Sequence, residues 1–287
     1  MLSIEPVTPE LGAEVTGVDL KSTDRETVAA IERAFAQYSV LFFRDQSLSL
    51  DDQLKVTRLF GPVLRVPYVQ GIASHPDVIA VLKEAEEKRI STFGGTWHTD
   101  FSFLAEPPAR TLLYSVELPP VGGDTIWASQ YLAYDALSDG MKALLDPLNA
   151  IHTGWPHGTM GPNPDVPVSR SLKMVRNDHT PDREVAHPVV RVHPVTGRKA
   201  LFANPVYTQR LENMTAAESK PILDFLHAHN VRAEFCCRLR WRPGTMAMWD
   251  NRCLMHLAVN DYDGHRRLLH RTTVAGEVPA GIAQRAA

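Results

Sequence analysis

Three runs near the C-terminal end decide the fold: residues 232–241 (RAEFCCRLRW), 246–249 (MAMW) and 268–274 (LLHRTTV). Each is short and β-leaning, as strands of a mainly β domain read. Working outward, similar strands are expected at 96–101, 109–116, 123–128, 189–193 and 200–203, with Pro194 to Gly197 as the turn between the last two. SVLFF at 39–43 and residues 78–82 read as two further strands. Helical spacing appears at 25–38, where Val28, Ile31, Phe35 and Tyr38 share a face behind Ser22-Thr23-Asp24. It also runs from Leu50 to the stop at Gly61-Pro62, over roughly 129–145, and over 214–229 with Thr215 as the N-cap. Residues 83–95 read as a loop. Residues 153–188, rich in Pro, Gly, Asn, His and Arg, read as an irregular, lid-like insert, and His152, His157, His179 and His187 in or near it as solvated loop residues. The expected fold is mainly β with flanking helices, in a closed or sandwiched antiparallel arrangement.

Composition narrows the partners. At 287 residues one domain spanning 1–287 is expected, and 44% hydrophobic with 22% charged residues is ordinary for a globular chain. A net charge of −3 carries no basic excess for nucleic acid. No apolar run approaches the roughly 18 residues a membrane span needs. The opening MLSIEPVTPELGAEVTG lacks the basic and apolar regions of a secretory signal. Three cysteines, two of them adjacent at Cys236 and Cys237, make a disulfide framework a poor reading. A cytoplasmic protein without nucleic-acid or membrane partners is expected.

Chemistry first shows at Trp97-His98-Thr99-Asp100. On a strand, residues two apart face the same side, so His98 and Asp100 would present an imidazole and a carboxylate together. Alone this pattern fits a pair hydrogen-bonding at a strand end equally well. With His256 as a third ligand, two imidazoles and a carboxylate would cap one face of an octahedral iron(II) and leave three positions open. In RRLLHR at 266–271, Arg267, Leu269 and Arg271 share one strand face, so two guanidinium forks could enter one pocket and grip carboxylates. A solvated basic face is the alternative for that run.

Taken together, WHTD at 97–100, GGDT at 122–125, WDNR at 249–252, His256 and the ending RRLLHRTTV resemble the taurine dioxygenase family of 2-oxoglutarate-dependent oxygenases. GAEVTGVDL at 12–20, LFFRDQ at 41–46 and HPVVRVHPVTGRKALF at 187–202 carry the same resemblance, in order, along nearly the whole chain. It implies a double-stranded β-helix, or cupin-like jelly roll, in which His98, Asp100 and His256 bind Fe(II). It further implies that Arg267 and Thr125 hold the distal carboxylate of 2-oxoglutarate, and that Arg271 grips the anionic group of the primary substrate. With O2 as the other co-substrate, succinate and CO2 would form as a substrate C–H is hydroxylated. A homodimer or homotetramer is implied as well.

The resemblance thins at the substrate contacts. After Phe60-Gly61 the chain reads PVLRVPY, without the histidine of the taurine enzyme, and Tyr68 stands in for its tyrosine. Gly94 occupies the position of an asparagine four residues before the first iron ligand. Phe101, Phe103, Trp155 and Tyr207 are the candidates for lining the pocket. An anionic substrate with a less polar body than taurine is expected: an alkyl sulfonate, an alkyl sulfate, or an aryloxy or other carboxylate. A cupin-type isomerase or metal-binding barrel would share the His/Asp/His set but has no need for Thr125, Arg267 and Arg271 together.

Overall fold

The computed structural model describes residues 2–66, 68–88, 90, 92–154, 171–172 and 183–282. Its largest element is a seven-stranded sheet in the order β1-β2-β3-β13-β5-β15-β4. These strands are β1 (Ser3–Pro6), β2 (Ala13–Thr16), β3 (Val40–Phe43), β4 (Ile79–Lys83), β5 (Arg110–Glu117), β13 (Met246–Asp250) and β15 (Arg267–Val274). A three-stranded sheet of β12 (Cys236–Leu239), β6 (Thr125–Ser129) and β14 (Leu254–Ala258) faces it. Alternation along the strands builds the two layers. Val40, Phe42, Ala247 and Trp249 point into the space between the sheets, where they meet Trp127, Leu239 and Leu254. Leu41, Phe43, Met246 and Met248 point the opposite way, onto Ile31 and Phe35 of helix α1 (Arg25–Tyr38). Each large side chain so buried contributes about 1.5–3 kcal/mol. The result is a double-stranded β-helix with helices outside it.

Smaller sheets extend this core: β11 (Thr208–Leu211), β7 (Asn149–His152) and β8 (Val185–Pro188) form one, and β9 (Val190–Val192) with β10 (Lys199–Leu201) another. Helix ends follow local chemistry. Asp24 caps α1; a Ser49/Asp52 capping box opens α2 (Leu50–Leu59), and a Thr215/Glu218 box opens α5 (Ala216–His229). Ser39 takes φ 61° to end α1, so the strand begins one residue later than its composition suggests. The helix expected over 129–145 is broken into α3 (Gln130–Asp135) and α4 (Asp139–Leu145), because the Ser138 side chain accepts from Met141 N–H and starts a new helix.

Two corrections bear on the site. Residues 96–101 do not form a strand: they contribute one bridge, His98 to His256, before Phe101 turns the chain at φ 46°. The irregular reading of 153–188 fails at its end, where Val185–Pro188 pairs with β7. Most of that segment, with Trp155, His157 and His179, lies outside the described residues. All three cysteines are free thiols. Among the described residues no helix is long and apolar enough to cross a membrane.

Candidate metal and anion site

Three buried ligand-bearing side chains meet where β14 passes the bridge at His98. His98 Nε2 lies 3.6 Å from Asp100 Oδ1, and His256 Nε2 lies 3.9 Å from the same oxygen. One ligand atom from each of the three falls within 4.8 Å of the others. They converge through the bridge and the tight turn at Phe101, a different geometry from the expected strand alternation.

The protonation states suit a ligand set. His98 Nδ1 is 2.7 Å from the Thr96 carbonyl oxygen, which can only accept, so the proton sits on Nδ1 and the Nε2 lone pair faces inward. Burial, reinforced by His98, drives His256 towards its neutral form. Burial opposes charge on Asp100, yet the Arg271 guanidinium beside it holds its carboxyl well below the usual carboxylate range. Two imidazole nitrogens and one carboxylate oxygen fit a first-row divalent ion with open positions.

The two arginines stand on β15 with Leu269 between them, on the face that looks into the core. Both are 3% exposed. Arg267 Nε donates to the Gly123 carbonyl at 3.2 Å, while its Nη2 has no partner among the described residues. Arg271 Nη1 lies 3.1 Å from Asp100 Oδ1, while Nε and Nη2 have no partner among the described residues. A buried guanidinium with unmet N–H groups is costly unless an anion meets it, so both arginines are candidate anion-binding groups. A Cβ at residue 123 would stand 3.0 Å from Arg267 Nε, and Gly123 also takes φ 70°, so glycine leaves the room this arrangement needs. Thr125 Oγ1 accepts from Trp241 Nε1 at 3.0 Å, which leaves its own proton to donate. His98, His256, Thr125, Arg267 and Arg271 all line one small pocket.

Beside Arg271 lies an apolar cluster that includes Phe101, Phe103, Tyr207, Tyr68 and Leu172. The Phe101 ring centroid is 5.2 Å from the Arg271 guanidinium carbon. Phe103 links Tyr68 and Tyr207, at centroid distances of 5.5 and 5.1 Å. The described candidates therefore lie near one another, the ligand set with Thr125 and the two arginines on one side and Phe101, Phe103, Tyr68 and Tyr207 in the adjoining cluster, while Trp155 lies outside the described residues.

Other contributors left no spacing signal. His152 and His187, expected in solvated loops, are buried on β7 and β8 with rings 5.4 Å apart, and burial pushes them down to about 3 and about 4. His152 Nδ1 contacts Ser102 Oγ at 3.1 Å, and Asn204 Nδ2 donates to the same oxygen at 2.8 Å, which braces the turn carrying Phe101 and Phe103. Thr111 and Asn251 lie behind Asp100, and only the WDNR motif drew attention to either. A second cluster, His193, Asp250 and Cys253, has comparable ligand spacing on another side of the core.

An α-ketoglutarate-dependent sulfate ester dioxygenase from Pseudomonas putida is 36% identical, over 98% of this chain and 92% of its own length. An alkylsulfatase from Acinetobacter baylyi is 34% identical, over 98% of this chain and 87% of its own. The crystal structure of a taurine dioxygenase from Burkholderia xenovorans superposes with a TM-score of 0.83 at 32% identity, covering 99% of this chain and 94% of that one. With residues 3–273 matching the family described as "Taurine catabolism dioxygenase TauD, TfdA family", the chain belongs to that family.

Proposed function

We propose that His98, Asp100 and His256 hold Fe(II), that Arg267 and Thr125 hold the distal carboxylate of 2-oxoglutarate, and that Arg271 receives the anionic group of the primary substrate. The enzyme is a 2-oxoglutarate-dependent dioxygenase acting on a small anionic organic molecule. Bound Fe(II) supplies the chemistry that couples O2 and decarboxylation of 2-oxoglutarate, to succinate and CO2, with hydroxylation of a substrate C–H. The protein's own part is placement. Arg267 and Thr125 fix one end of the keto acid, Arg271 fixes the substrate's charge, and Phe101, Phe103, Tyr207 and Tyr68 exclude water around its body.

One observation carries the reading: two buried arginines with unmet donors flank a ligand set on a single cavity. An apolar wall beside Arg271 favours an alkyl sulfate or sulfonate, or an aryloxy or other carboxylate, over a short polar sulfonate such as taurine. The similarity to a sulfate ester dioxygenase and an alkylsulfatase puts alkyl sulfates first. Strands from both ends of the chain interleave in one sheet, which supports residues 1–287 acting as one catalytic domain. A cytoplasmic homodimer or homotetramer is part of the proposal, and light scattering checks the assembly.

The test is O2-dependent succinate formation across alkyl sulfates, alkyl sulfonates, aryloxy acids and taurine. Stimulation by medium-length alkyl sulfates above taurine is expected. Stimulation by taurine alone would overturn the substrate assignment.

A further inference from the structure

Asp100 is held from behind by a one-way chain of hydrogen bonds. Trp249 Nε1 donates to Asn251 Oδ1 at 2.8 Å, Asn251 Nδ2 donates to Thr111 Oγ1 at 3.0 Å, and Thr111 Oγ1 donates to Asp100 Oδ2 at 2.7 Å. An indole N–H can only donate and an ionised carboxylate can only accept. The two ends therefore fix both the amide orientation of Asn251 and the hydroxyl rotor of Thr111, and every proton in the chain points towards Asp100. None of the four residues is more than 1% exposed, so water does not compete for these bonds.

The chain is anchored to rigid backbone. Thr111 lies on β5 between Trp249 of β13 and Thr273 of β15, paired on both sides. Asn251 N–H donates to the Ala109 carbonyl at 2.9 Å. The Trp249 ring also lies 4.7 Å from that of His256, so the residue that starts the chain packs against another member of the ligand set.

We propose that Thr111 and Asn251 are positioning residues that hold the Asp100 carboxylate in its ligand orientation, a role that rests on the metal reading above. Oδ2 is engaged by Thr111, while Oδ1 faces both imidazole Nε2 atoms and lies 3.1 Å from Arg271 Nη1. A carboxylate that loses the Thr111 hydroxyl is free to turn, and its Oδ1 is then no longer kept facing the two imidazoles.

The test is Mn(II) titration of chelator-treated protein, with free Mn(II) read by electron paramagnetic resonance. Thr111→Val keeps the shape of the side chain and removes its hydroxyl; Thr111→Ser returns the hydroxyl. Thr111→Val is expected to bind Mn(II) about 10- to 100-fold more weakly, the usual loss for an outer-shell partner, with Thr111→Ser near wild type. Asn251→Ala, which frees the Thr111 rotor, is expected to show a smaller loss in the same direction and serves if the valine variant does not fold. A merely structural role would lower the melting temperature and leave Mn(II) affinity alone; wild-type affinity in the folded variants overturns the proposal. Wild-type protein that fails to bind Mn(II), or binding that survives in His256→Ala, overturns the metal reading itself and the relay with it.

Discussion

Asp100 and Asp250 are both buried, and each has histidine and arginine for neighbours, yet they sit in regions of opposite character. Asp250 is saturated. Its Oδ1 accepts from the Arg252 backbone N–H and Nε at 2.9 and 2.8 Å, and its Oδ2 lies 2.7 Å from Arg252 Nη2 and 3.1 Å from His193 Nε2. Glu277 pairs with Arg191 at 2.9 Å beside it, and Arg191 Nε has no partner among the described residues. Around Asp100 the polar inventory does not close: among the described residues His256 Nδ1, Arg267 Nη2 and Arg271 Nε and Nη2 lack partners. Similar residue types thus build a structural knot in one place and a receptive site in the other. Unmet hydrogen bonding separates the two, where composition does not.

The largest effect should come from breaking each aspartate in turn. Asp100→Ala is expected to abolish metal binding and succinate formation. Asp250→Ala leaves Arg252 buried without its partner, a loss of about 3–5 kcal/mol in stability. Any Asp250→Ala protein that remains folded should still bind Mn(II), as calorimetry at low temperature would show. Loss of metal binding in that folded variant, with retention in Asp100→Ala, would reverse the comparison.

Next in size is the split between the arginines. Removing a charge-assisted hydrogen-bonding partner costs about 1.5–3 kcal/mol, roughly 10- to 100-fold in the matching KM. Arg267→Ala should raise the KM for 2-oxoglutarate, and Arg271→Ala the KM for the alkyl sulfate. The opposite pattern in steady-state kinetics would show that the two roles are exchanged.

How much of this was legible in the sequence depended on whether a residue acts through its neighbours in the chain or through space. Helix α1 was readable because apolar spacing and the Asp24 cap are local, and Arg267 and Arg271 share a face because β15 is a regular strand. His98 and Asp100 were found for the wrong geometric reason: the alternation rule placed them together, while a bridge and a left-handed Phe101 do so in the fold. Strands β1, β2, β7, β8, β11 and β14 were missed; they hold few β-branched residues and no Phe, Tyr or Trp, so composition does not mark them as strands. Thr111 and His152 carried no signal, since their partners lie 11 and 50 positions away and only the fold brings them into contact.

Acid should expose the buried histidines. From an ordinary value of 6.5, His152 and His187 are pushed down to about 3 and about 4, mainly by burial. Between those values and 6.5 the unfolded chain binds more protons than the folded one, so their contribution to stability is full above pH 6.5 and is lost as the pH falls. The melting temperature should therefore drop from pH 7 to pH 5, and a melting temperature that rises over that interval would contradict the burial argument. The smallest effect is expected at the apolar wall: Tyr207→Phe should shift the preference among alkyl sulfates of different length within about tenfold, with the KM for 2-oxoglutarate unchanged. A change confined to 2-oxoglutarate would move Tyr207 to the other subsite.

Anaerobic titration of the protein with Fe(II) and 2-oxoglutarate tests the central claim most directly. A weak visible charge-transfer band is expected in the wild type and not in His256→Ala. No band in the wild type, together with no substrate-stimulated succinate once O2 is admitted, would contradict it and favour a metal-binding β-barrel of the cupin type without oxygenase chemistry.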